Sequence, residues 1–533
     1  MKRLTDALAA GALFVASLYV YRKILRLWWM YDDPFLVNLL RQFTLPQSLY
    51  ARDLYHALGR PIFNPLLMFS LKADLLAFGL DTTRLYVHHL IAVALIPPLL
   101  YLLCRLWTPP LASLAAAGTA LVAGPTLEVV PQLMLRHYIE GGAFALAAAI
   151  LFVLAVRRAQ TGARCAPLPI ASAFLYLCAA AAKEVYAPLI LILLVMPEGE
   201  WRQRIRLLIP HAVAAAIFGV WRIAVVGMSV KPFGFVEPPS RRPISIATVP
   251  FRAIRQFANS GSAAGWAMLV AVLLCALVVV ARMPRARIVA VAAIVAVVAP
   301  LIPVSGEMNP RWAFAPWLLA VVAIAFLARA LPRGGAIAAL VVLGIALVDD
   351  RVEWPPAYRR FLRISDEGRV FSLLGENDVI HNPIGTPTTL MEIGKLTGSK
   401  ARALYDDFPL CDPSYRVGRI FEFDPARREV AETTRAAATR SCASIRRMPL
   451  TLDLHFERDG SFFWTAGPYR DGQYTFILID GLLAYDVPRE AGFRADGFEH
   501  FNLRVRYTSP QGWKTYSPML TVDSHNGPLR FRQ

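Results

Sequence analysis

Two adjacent carboxylates follow the first apolar run of this sequence, within the segment Trp28-Trp-Met-Tyr-Asp-Asp-Pro-Phe35. Aromatic residues of this kind mark the boundary between membrane and water, so the pair is expected at the end of a membrane helix. Pro34 suits the first position of a new helix and Asp33 its N-cap, where capping bonds and the helix dipole would hold Asp33 ionised. Asp32 would stay free to point into a cavity, which makes it the preferred general base. An interfacial cap without chemistry is the open alternative.

Three basic residues stand at the ends of other apolar runs, namely Arg136, Lys183 and Arg311. An arginine fork binds phosphate through two parallel hydrogen bonds, and lysine acts as a point charge. The three are therefore candidates for binding a phosphate or pyrophosphate leaving group at the membrane surface. Three acidic residues lie near them in the sequence: Glu128, Glu184 and Glu307. Pairing between these acids and bases, which would neutralise charge close to lipid, is the alternative explanation.

Histidines raise the question of a metal, because His88, His89 and His137 fall in or beside apolar runs. They lack acidic or cysteine partners at helical spacing, so a polar contact between helices is the favoured interpretation. A glycine-rich phosphate loop, a zinc-binding spacing and a G-x-S-x-G motif are all absent from the sequence, so ATP-driven and serine-hydrolase chemistry have no support. No metal ligand and no certain cofactor is predicted, and a requirement for a divalent metal stays open.

The composition indicates that membrane helices position these residues. Of the 533 residues, 56% are hydrophobic and 18% are charged, whereas a soluble protein of this size carries more charge. Apolar runs fill residues 1–348, and the remainder reads as soluble protein. About eleven runs approach the length that spans the roughly 30 Å of a bilayer. They are expected near 4–28, 84–107, 111–126, 138–156, 167–182, 185–196, 207–227, 263–281, 288–304, 313–328 and 334–348.

The charged loops predict the orientation of these spans. If the N-terminus is cytoplasmic, every second loop is rich in arginine, as the positive-inside rule requires, and the C-terminal part lies outside. The arginine-rich loops contain Arg157, Arg158 and Arg164, then Arg202, Arg204 and Arg206, then Arg282, Arg285 and Arg287, then Arg329 and Arg333. Because the net charge of +18 is concentrated in such loops and forms no basic stripe with interleaved aromatics, nucleic-acid binding is excluded. Cys165 is predicted to be cytoplasmic.

Beyond residue 348 we predict two parts, an α/β region over 349–448 and a β-sandwich over 449–533. The first includes a helix expected over Pro425 to Ser444. The second alternates polar and apolar residues with Asp-Gly turns, which is typical of antiparallel strands. It would pack on or above the cavity and present Phe462, Phe463 and Trp464 or nearby aromatic residues. Cys411 and Cys442 form the one cysteine pair of this region and are predicted to be a disulfide.

Five motifs, taken in order, resemble those of the C-type (GT-C) integral-membrane glycosyltransferases that use polyprenyl-phosphate-linked sugars, especially the protein O-mannosyltransferase-like branch. The matching residues are Tyr31-Asp32-Asp33; Arg60-Pro61 through Phe78-Gly79; Pro125, Glu128, Val130 and Arg136; Lys183-Glu184 before Tyr186; and Glu307, Arg311, Trp312 and Pro316. The resemblance covers roughly residues 1–330. It departs after Arg136, where His137-Tyr138 stands in place of the family's acidic residue.

The resemblance implies an all-α membrane domain that transfers a sugar from a polyprenyl-phosphate carrier to a protein, glycan or lipid acceptor, with inversion at the anomeric carbon. Asp32 and Asp33 would be catalytic. Arg136, Lys183 and Arg311 would bind the donor phosphate. Four residues would support them: Glu128, Glu184, Glu307 and His137. The enzyme would lie in a bacterial inner membrane, among membrane lipids, with a periplasmic C-terminal domain.

Two other classes of function remain open. A lipid or solute transporter would place its charged sites near the membrane midplane, often within repeated halves. Here the charges stand at helix ends and the sequence shows no internal repeat, so this class is ranked lower. A catalytically inactive membrane scaffold or sensor would show the same sequence, and mutation of Asp32 would discriminate between it and an enzyme.

Overall fold

A computed structural model describes residues 2–58, 62–122, 124–163, 167–196, 198–228, 234–236, 249–260, 262–282, 287–304, 309–328, 332–457, 461–478, 483–494 and 500–533. Several predicted features fall outside these ranges. They are Cys165, whose sidedness the charge pattern predicts, the Arg60-Pro61 part of the second motif, Glu307, and the loop residues Arg164, Arg285 and Arg329.

The apolar part of the chain is mainly helical in its described segments. Its helices are α1 (Lys2–Tyr21), α2 (Asp33–Arg41), α3 (Gln47–Tyr50), α4 (Arg52–Ala57), α5 (Pro65–Phe78), α6 (Thr82–Arg105), α7 (Pro110–Leu121), α8 (Gly124–Val129), α9 (Arg136–Gln160), α10 (Pro167–Ala182), α11 (Leu189–Val195), α12 (Trp201–Val226), α13 (Val249–Asn259), α14 (Ser262–Arg282), α15 (Arg287–Val298), α16 (Phe314–Ala328) and α17 (Pro332–Phe371). Short 3-10 turns occur at Arg22–Arg26, Leu133–Leu135, Glu184–Tyr186, Ala299–Val304 and Pro310–Ala313.

Helix length and composition are those of a membrane protein. Five helical segments in the described ranges are long and apolar enough to cross a bilayer: Leu4–Arg26, Thr82–Arg105, Leu133–Gln160, Trp201–Val226 and Ser262–Ala281. Five further apolar helices have 10–17 residues, which is shorter than the roughly 20 residues of a typical span. The number of about eleven spans therefore stays a prediction.

Contacts between helix ends define two faces of the bundle. At one face, Arg105 Nε at the end of α6 lies 2.7 Å from Asp6 Oδ1 near the start of α1. At the other, the backbone N–H of Ala264 in α14 donates to Asp349 Oδ2 in α17 at 2.7 Å. We call the second face the domain face, because α17 continues from it into the C-terminal region. Tyr21 at the end of α1 lies against Trp354 of α17, so α1 runs from the first face to the domain face.

Helix α17 crosses the predicted boundary between residues 348 and 349 without a break. Its second half packs beside the segment that leads from α1 to α2, and Phe361, Ile364 and Phe371 share the bundle's hydrophobic core. Helix α18 (Pro387–Thr397) then packs on α2, where the Asn38 side chain donates to the Glu392 backbone oxygen at 2.8 Å. The α/β region is thus docked on the bundle rather than tethered to it.

The α/β region has a four-stranded sheet in the order β3-β2-β4-β5. Its elements are β2 (Val379–His381), β3 (Arg402–Leu404), β4 (Ile420–Asp424), β5 (Glu429–Thr433), α19 (Phe408–Cys411), α20 (Arg435–Ala438) and a 3-10 turn at Arg440–Ser444. The helix predicted over Pro425 to Ser444 is wrong. Asp424 Oδ1 accepts the backbone N–H of Ala426 at 2.8 Å, and the resulting turn pairs β5 with β4.

The predicted β-sandwich is confirmed. One sheet has the order β1-β10-β7-β6-β14, and the other has β12-β11-β8-β9 with β13 beside β11. The strands are β1 (Gly234–Val236), β6 (Thr451–Phe456), β7 (Ser461–Gly467), β8 (Gln473–Leu478), β9 (Leu483–Val487), β10 (Glu490–Arg494), β11 (His500–Thr508), β12 (Lys514–Tyr516), β13 (Leu520–Asp523) and β14 (Leu529–Arg532). Phe462, Phe463 and Trp464 are buried, so these three are not the aromatic residues that the sandwich presents to the cavity. The neighbouring strands and the sandwich core cover these three side chains.

The predicted disulfide is confirmed as well, since Cys411 and Cys442 are bonded with a Cα–Cα distance of 5.7 Å. The bond holds the turn that carries Ser441 beside Asp407, whose carboxylate accepts the Ser441 hydroxyl at 2.5 Å. His381 lies 2.9 Å from the same carboxylate, and Lys514 of the sandwich forms an ion pair with it. Asp407 therefore joins the α/β region to the sandwich.

Candidate functional site

The Asp32-Asp33 pair begins α2, but the two carboxylates have different environments. Asp33 occupies the first helical position, so Asp32 and not Asp33 is the N-cap. The Asp33 residue is only 3% exposed. The Asp33 carboxylate accepts the backbone N–H groups of Met134 at 2.8 Å and Met30 at 3.3 Å. Burial raises the pKa of Asp33 to about 7, although both N–H donors favour the ionised form. The expected N-cap position of Asp33 is thus wrong, and its carboxylate ties α2 to the segment that leads into α9.

Asp32 is the carboxylate that is left free. Its side chain forms no capping hydrogen bond and is exposed to solvent. Protein nevertheless surrounds it closely enough for burial to raise its pKa, and the charge of Arg311 opposes this shift. The Asp32 carboxylate is therefore open to solvent but flanked by protein atoms. We call this part of the domain face, around Asp32, the acidic recess.

A second carboxylate, Glu128 in α8, lies at the acidic recess. Burial raises the pKa of Glu128, whereas Arg360, Gln132 and Arg311 lower it. Gln132 Nε2 donates to Glu128 Oε1 at 3.0 Å, which fixes the carboxylate in place. Arg311 and Arg360 therefore come from distant parts of the chain to the same group of acids.

Arg311 is held by a 3-10 turn that begins at Asn309, whose side-chain oxygen accepts the Arg311 backbone N–H at 3.2 Å. Its guanidinium lies 5.8 Å from the centre of the Trp312 ring. Among the residues that the structure describes, this guanidinium has no carboxylate within ion-pair distance, so it is available to an anionic ligand. Glu307, the partner expected from the sequence, lies outside the described residues.

Lys183 and His137 lie close to the same recess. The Lys183 ammonium is 5.7 Å from the centre of the Tyr138 ring, and the charges of Lys183 and Arg311 both act on His137. The Lys183 ammonium also lies 3.6 Å from Glu184 Oε2. Glu184 Oε1 accepts the backbone N–H of Phe63 at 3.2 Å, so this acid mainly anchors the first loop. His137 Nδ1 lies 2.7 Å from the Met134 carbonyl.

Arg136 does not face the acidic recess, which corrects its expected role in binding a donor phosphate. The residue has no exposed surface. One terminal nitrogen donates to Asp74 Oδ2 at 2.5 Å, and the other donates to the Leu85 carbonyl at 3.0 Å. Ser70 and His88 complete the surroundings of the guanidinium. Its charge is neutralised within the protein, and it joins α9 to α5 and α6.

Arg360 is the site residue that sequence reasoning missed. It lies beyond the apolar runs, in the exposed half of α17, and no motif in the neighbouring sequence indicates that it belongs to the site. Helix α17 contacts α8, and the Phe361 ring lies edge-on to Tyr31 at 6.3 Å between centroids. These contacts bring Arg360 near Tyr31 and Glu128, where its charge acts on both.

The segment before Asp32 is positioned by the C-terminal region. Ser365 Oγ accepts the backbone N–H of Trp28 at 2.7 Å, and the Thr389 hydroxyl donates to the Tyr31 carbonyl at 2.8 Å. Tyr31 has a positive φ of 50°, which is uncommon for a residue with a side chain. Contacts from α17 and α18 on both sides of this turn hold Asp32 in place.

Metal binding has no support from the residues described. Within those segments, no group of three or more histidine, cysteine, aspartate or glutamate side chains is arranged to hold a metal ion. The acidic recess instead combines two carboxylates with the three cations Lys183, Arg311 and Arg360. Such a site can accept a proton and bind an anion at the same time.

The comparisons with known proteins assign no family to the chain. No protein-family model and no curated protein matches it. Among solved structures, it is similar to the crystal structure of the Archaeoglobus fulgidus oligosaccharyltransferase tethered with an acceptor peptide containing the NVT sequon via a disulfide bond. The identity is 13%, the TM-score is 0.41, and the match covers 74% of this chain but only 63% of that one. A likeness this distant supports no inference about activity.

Proposed function

We propose that this protein is a GT-C-type membrane glycosyltransferase that transfers a sugar from a polyprenyl-phosphate carrier to an acceptor at the domain face. The observation that carries the proposal is the acidic recess, where the free carboxylate of Asp32 lies within electrostatic range of Arg311. Glycosyl transfer from a lipid phosphate needs both functions, a base for the acceptor and cations for the leaving group.

In the proposed reaction, Asp32 accepts the proton of an acceptor hydroxyl, and the hydroxyl oxygen attacks the anomeric carbon of the donor sugar. The bond between that carbon and the phosphate oxygen breaks, and both electrons leave with the phosphate. Attack opposite to the leaving group inverts the anomeric centre. The raised pKa of Asp32 makes it a better proton acceptor than an ordinary carboxylate when it is ionised.

Arg311, Lys183 and Arg360 would stabilise the phosphate as it departs. None of the three is fully buried, and the Arg311 guanidinium has no acidic partner among the residues described. Glu128 would hold a cation or an acceptor hydroxyl at the opposite side. Arg136 and Asp33 have no direct part in this mechanism, because their polar groups bind other parts of the protein.

The finer features of the proposal come from the motif resemblance. They are a relation to the protein O-mannosyltransferase-like branch, a hexose as the transferred sugar, and a protein, glycan or lipid acceptor. The domain face would be periplasmic in a bacterial inner membrane, with the N-terminus in the cytoplasm. The arginine-rich loops of the opposite face favour this orientation.

The decisive experiment uses the full-length protein in detergent with a short-chain polyprenyl-phosphate mannose and a serine- and threonine-containing peptide. Formation of glycopeptide and release of polyprenyl phosphate are both measured. We expect Asp32→Asn to lower transfer by about 10²- to 10⁴-fold, the usual contribution of a general base, while donor binding and the melting temperature stay unchanged. Asp33→Asn should be milder, since the amide keeps one acceptor oxygen.

Asp53→Asn is the matched control, because Asp53 is an exposed carboxylate of the same loop without a hydrogen-bonded partner among the residues described. Transfer by Asp32→Asn at the rate of the control would exclude Asp32 as the base. If neither protein consumes any polyprenyl-phosphate sugar, the scaffold or transporter alternatives replace the enzyme proposal.

A further inference from the structure

A second charged surface lies on the flank of α17 beside the end of α1. Six exposed basic residues form it, which we call the basic flank: Arg22, Lys23, Arg26, Arg351, Arg359 and Arg369. The Tyr358 hydroxyl donates to the Lys23 carbonyl at 3.0 Å, and the Arg369 guanidinium donates to the Arg26 carbonyl at 3.1 Å. These bonds hold the 3-10 turn, with its three cations, against α17.

Few acidic side chains neutralise the basic flank. Asp366 lies 3.7 Å from the Arg369 guanidinium, and this is the flank's one ion pair among the residues described. Arg22 stacks on the Tyr19 ring at 3.8 Å, and the Lys23 ammonium is 5.8 Å from the centre of the Tyr358 ring. Neither contact removes the positive charge. Cations that share a surface without acidic partners repel one another, so an anionic ligand would stabilise the surface.

The basic flank begins where exposed apolar side chains end. On α1, Val15 and Tyr19 are 63% and 65% exposed, and on α17, Val348 and Val352 are 62% and 68% exposed. In a membrane protein, such side chains face the lipid tails. On α17 the change falls at Arg351, and on α1 it falls at Arg22 and Lys23, which follow Tyr21 where its ring meets Trp354. These cations lie at the depth of the lipid headgroups, and the flank continues from them along α17.

This placement sets the flank apart from the other basic segments of the bundle. Arg157 donates to the Leu106 carbonyl at the end of α6, and Arg204 donates to the Glu198 carbonyl nearby. These loop arginines lie on the face opposite to the C-terminal region, where the positive-inside rule accounts for them. That rule does not account for cations at the domain face. The first span predicted over 4–28 included these cations in the membrane helix. In the structure α1 ends at Tyr21, and the basic 3-10 turn follows it.

We propose that the basic flank is a binding site for anionic phospholipid, and that its cations bind the phosphodiester and acidic headgroup of lipids in the leaflet at the domain face. The adjoining apolar side chains would contact the acyl chains, which favours a lipid over a soluble anion. Helix α17 directs Arg360 to the acidic recess and Arg359 to this flank, because successive residues of a helix point about 100° apart. The site is therefore separate from the proposed transfer reaction.

The test titrates the full-length protein in neutral detergent with dioctanoyl phosphatidylglycerol and follows bound lipid by native mass spectrometry. The test variant is Lys23→Gln/Arg26→Gln/Arg359→Gln, because none of these side chains forms a hydrogen bond or ion pair with another described residue. We expect binding about tenfold to a hundredfold weaker than in the unmodified protein, since each basic residue near a membrane surface contributes appreciably to anionic-lipid binding.

The matched control is Arg416→Gln/Arg428→Gln/Arg532→Gln, which removes the same charge from exposed positions of the C-terminal region. It should retain the lipid affinity of the unmodified protein, and the melting temperatures of both variants should agree. Equal weakening in both variants would show a general charge effect and overturn the proposal. Equal binding of dioctanoyl phosphatidylcholine, or full competition by inorganic phosphate, would overturn it too.

Discussion

Replacing Arg136 by methionine separates the two roles that this residue could have. The structure places its guanidinium in a fully buried contact with Asp74, 2.5 Å from the carboxylate. Methionine keeps much of the side-chain volume but leaves Asp74 as a buried charge without its main partner. Breaking a buried ion pair in this way costs about 3 to 5 kcal/mol of unfolding free energy. For a membrane unit of about 350 residues, this corresponds to a fall in melting temperature of about 4 to 7 °C.

The assay is thermal unfolding of the purified protein followed by tryptophan fluorescence, together with donor binding measured well below the melting temperature. The double variant Arg136→Met/Asp74→Leu removes both charges and should recover most of the lost stability, because replacing a buried pair by apolar residues is close to neutral. Donor affinity should stay unchanged in both proteins. An unaltered melting temperature with donor binding weakened tenfold would refute this reasoning and return Arg136 to the donor site.

Three further predictions concern charge and pH. Arg311→Gln should move the acid limb of the pH–rate profile to higher pH, because Arg311 lowers the pKa of Asp32 and the base must be ionised. An acid limb at the same pH would show that Arg311 does not act on Asp32. Arg360→Gln should raise the donor KM about tenfold, because a charged hydrogen bond to phosphate is lost. The melting temperature should not change, because the residue is exposed. An unchanged KM would show that Arg360 does not belong to the site. Burial alone would raise the pKa of Asp407, but His381, Lys514 and Ser441 lower it well below its usual value. Asp407→Asn should therefore destabilise the protein above about pH 4 and progressively less below that pH. Thermal unfolding from pH 3 to 8 measures this effect, and a difference in melting temperature that stays constant with pH would contradict it.

Several features could be predicted because they depend on local patterns. Alternating residues such as Tyr474 to Leu478 indicate strands whatever the rest of the chain does, and the sandwich is present. The cysteine pair 411 and 442 was predictable because the region offers no other pairing. Apolar length likewise indicates membrane helices, although it placed the end of the first one at residue 28 instead of Tyr21.

The roles of individual charges were decided by tertiary structure alone. Asp74 lies 62 positions from Arg136, and no local signal shows that the two meet, so a buried ion pair was taken for a phosphate ligand. Arg360 and Thr389 belong to a region that the sequence presents as a separate soluble domain, yet both lie beside Tyr31. Sequence determines which residues can carry charge and which segments are apolar. Whether a charge is neutralised inside the protein or left free for a ligand depends on contacts between distant segments, and these form only when the chain packs.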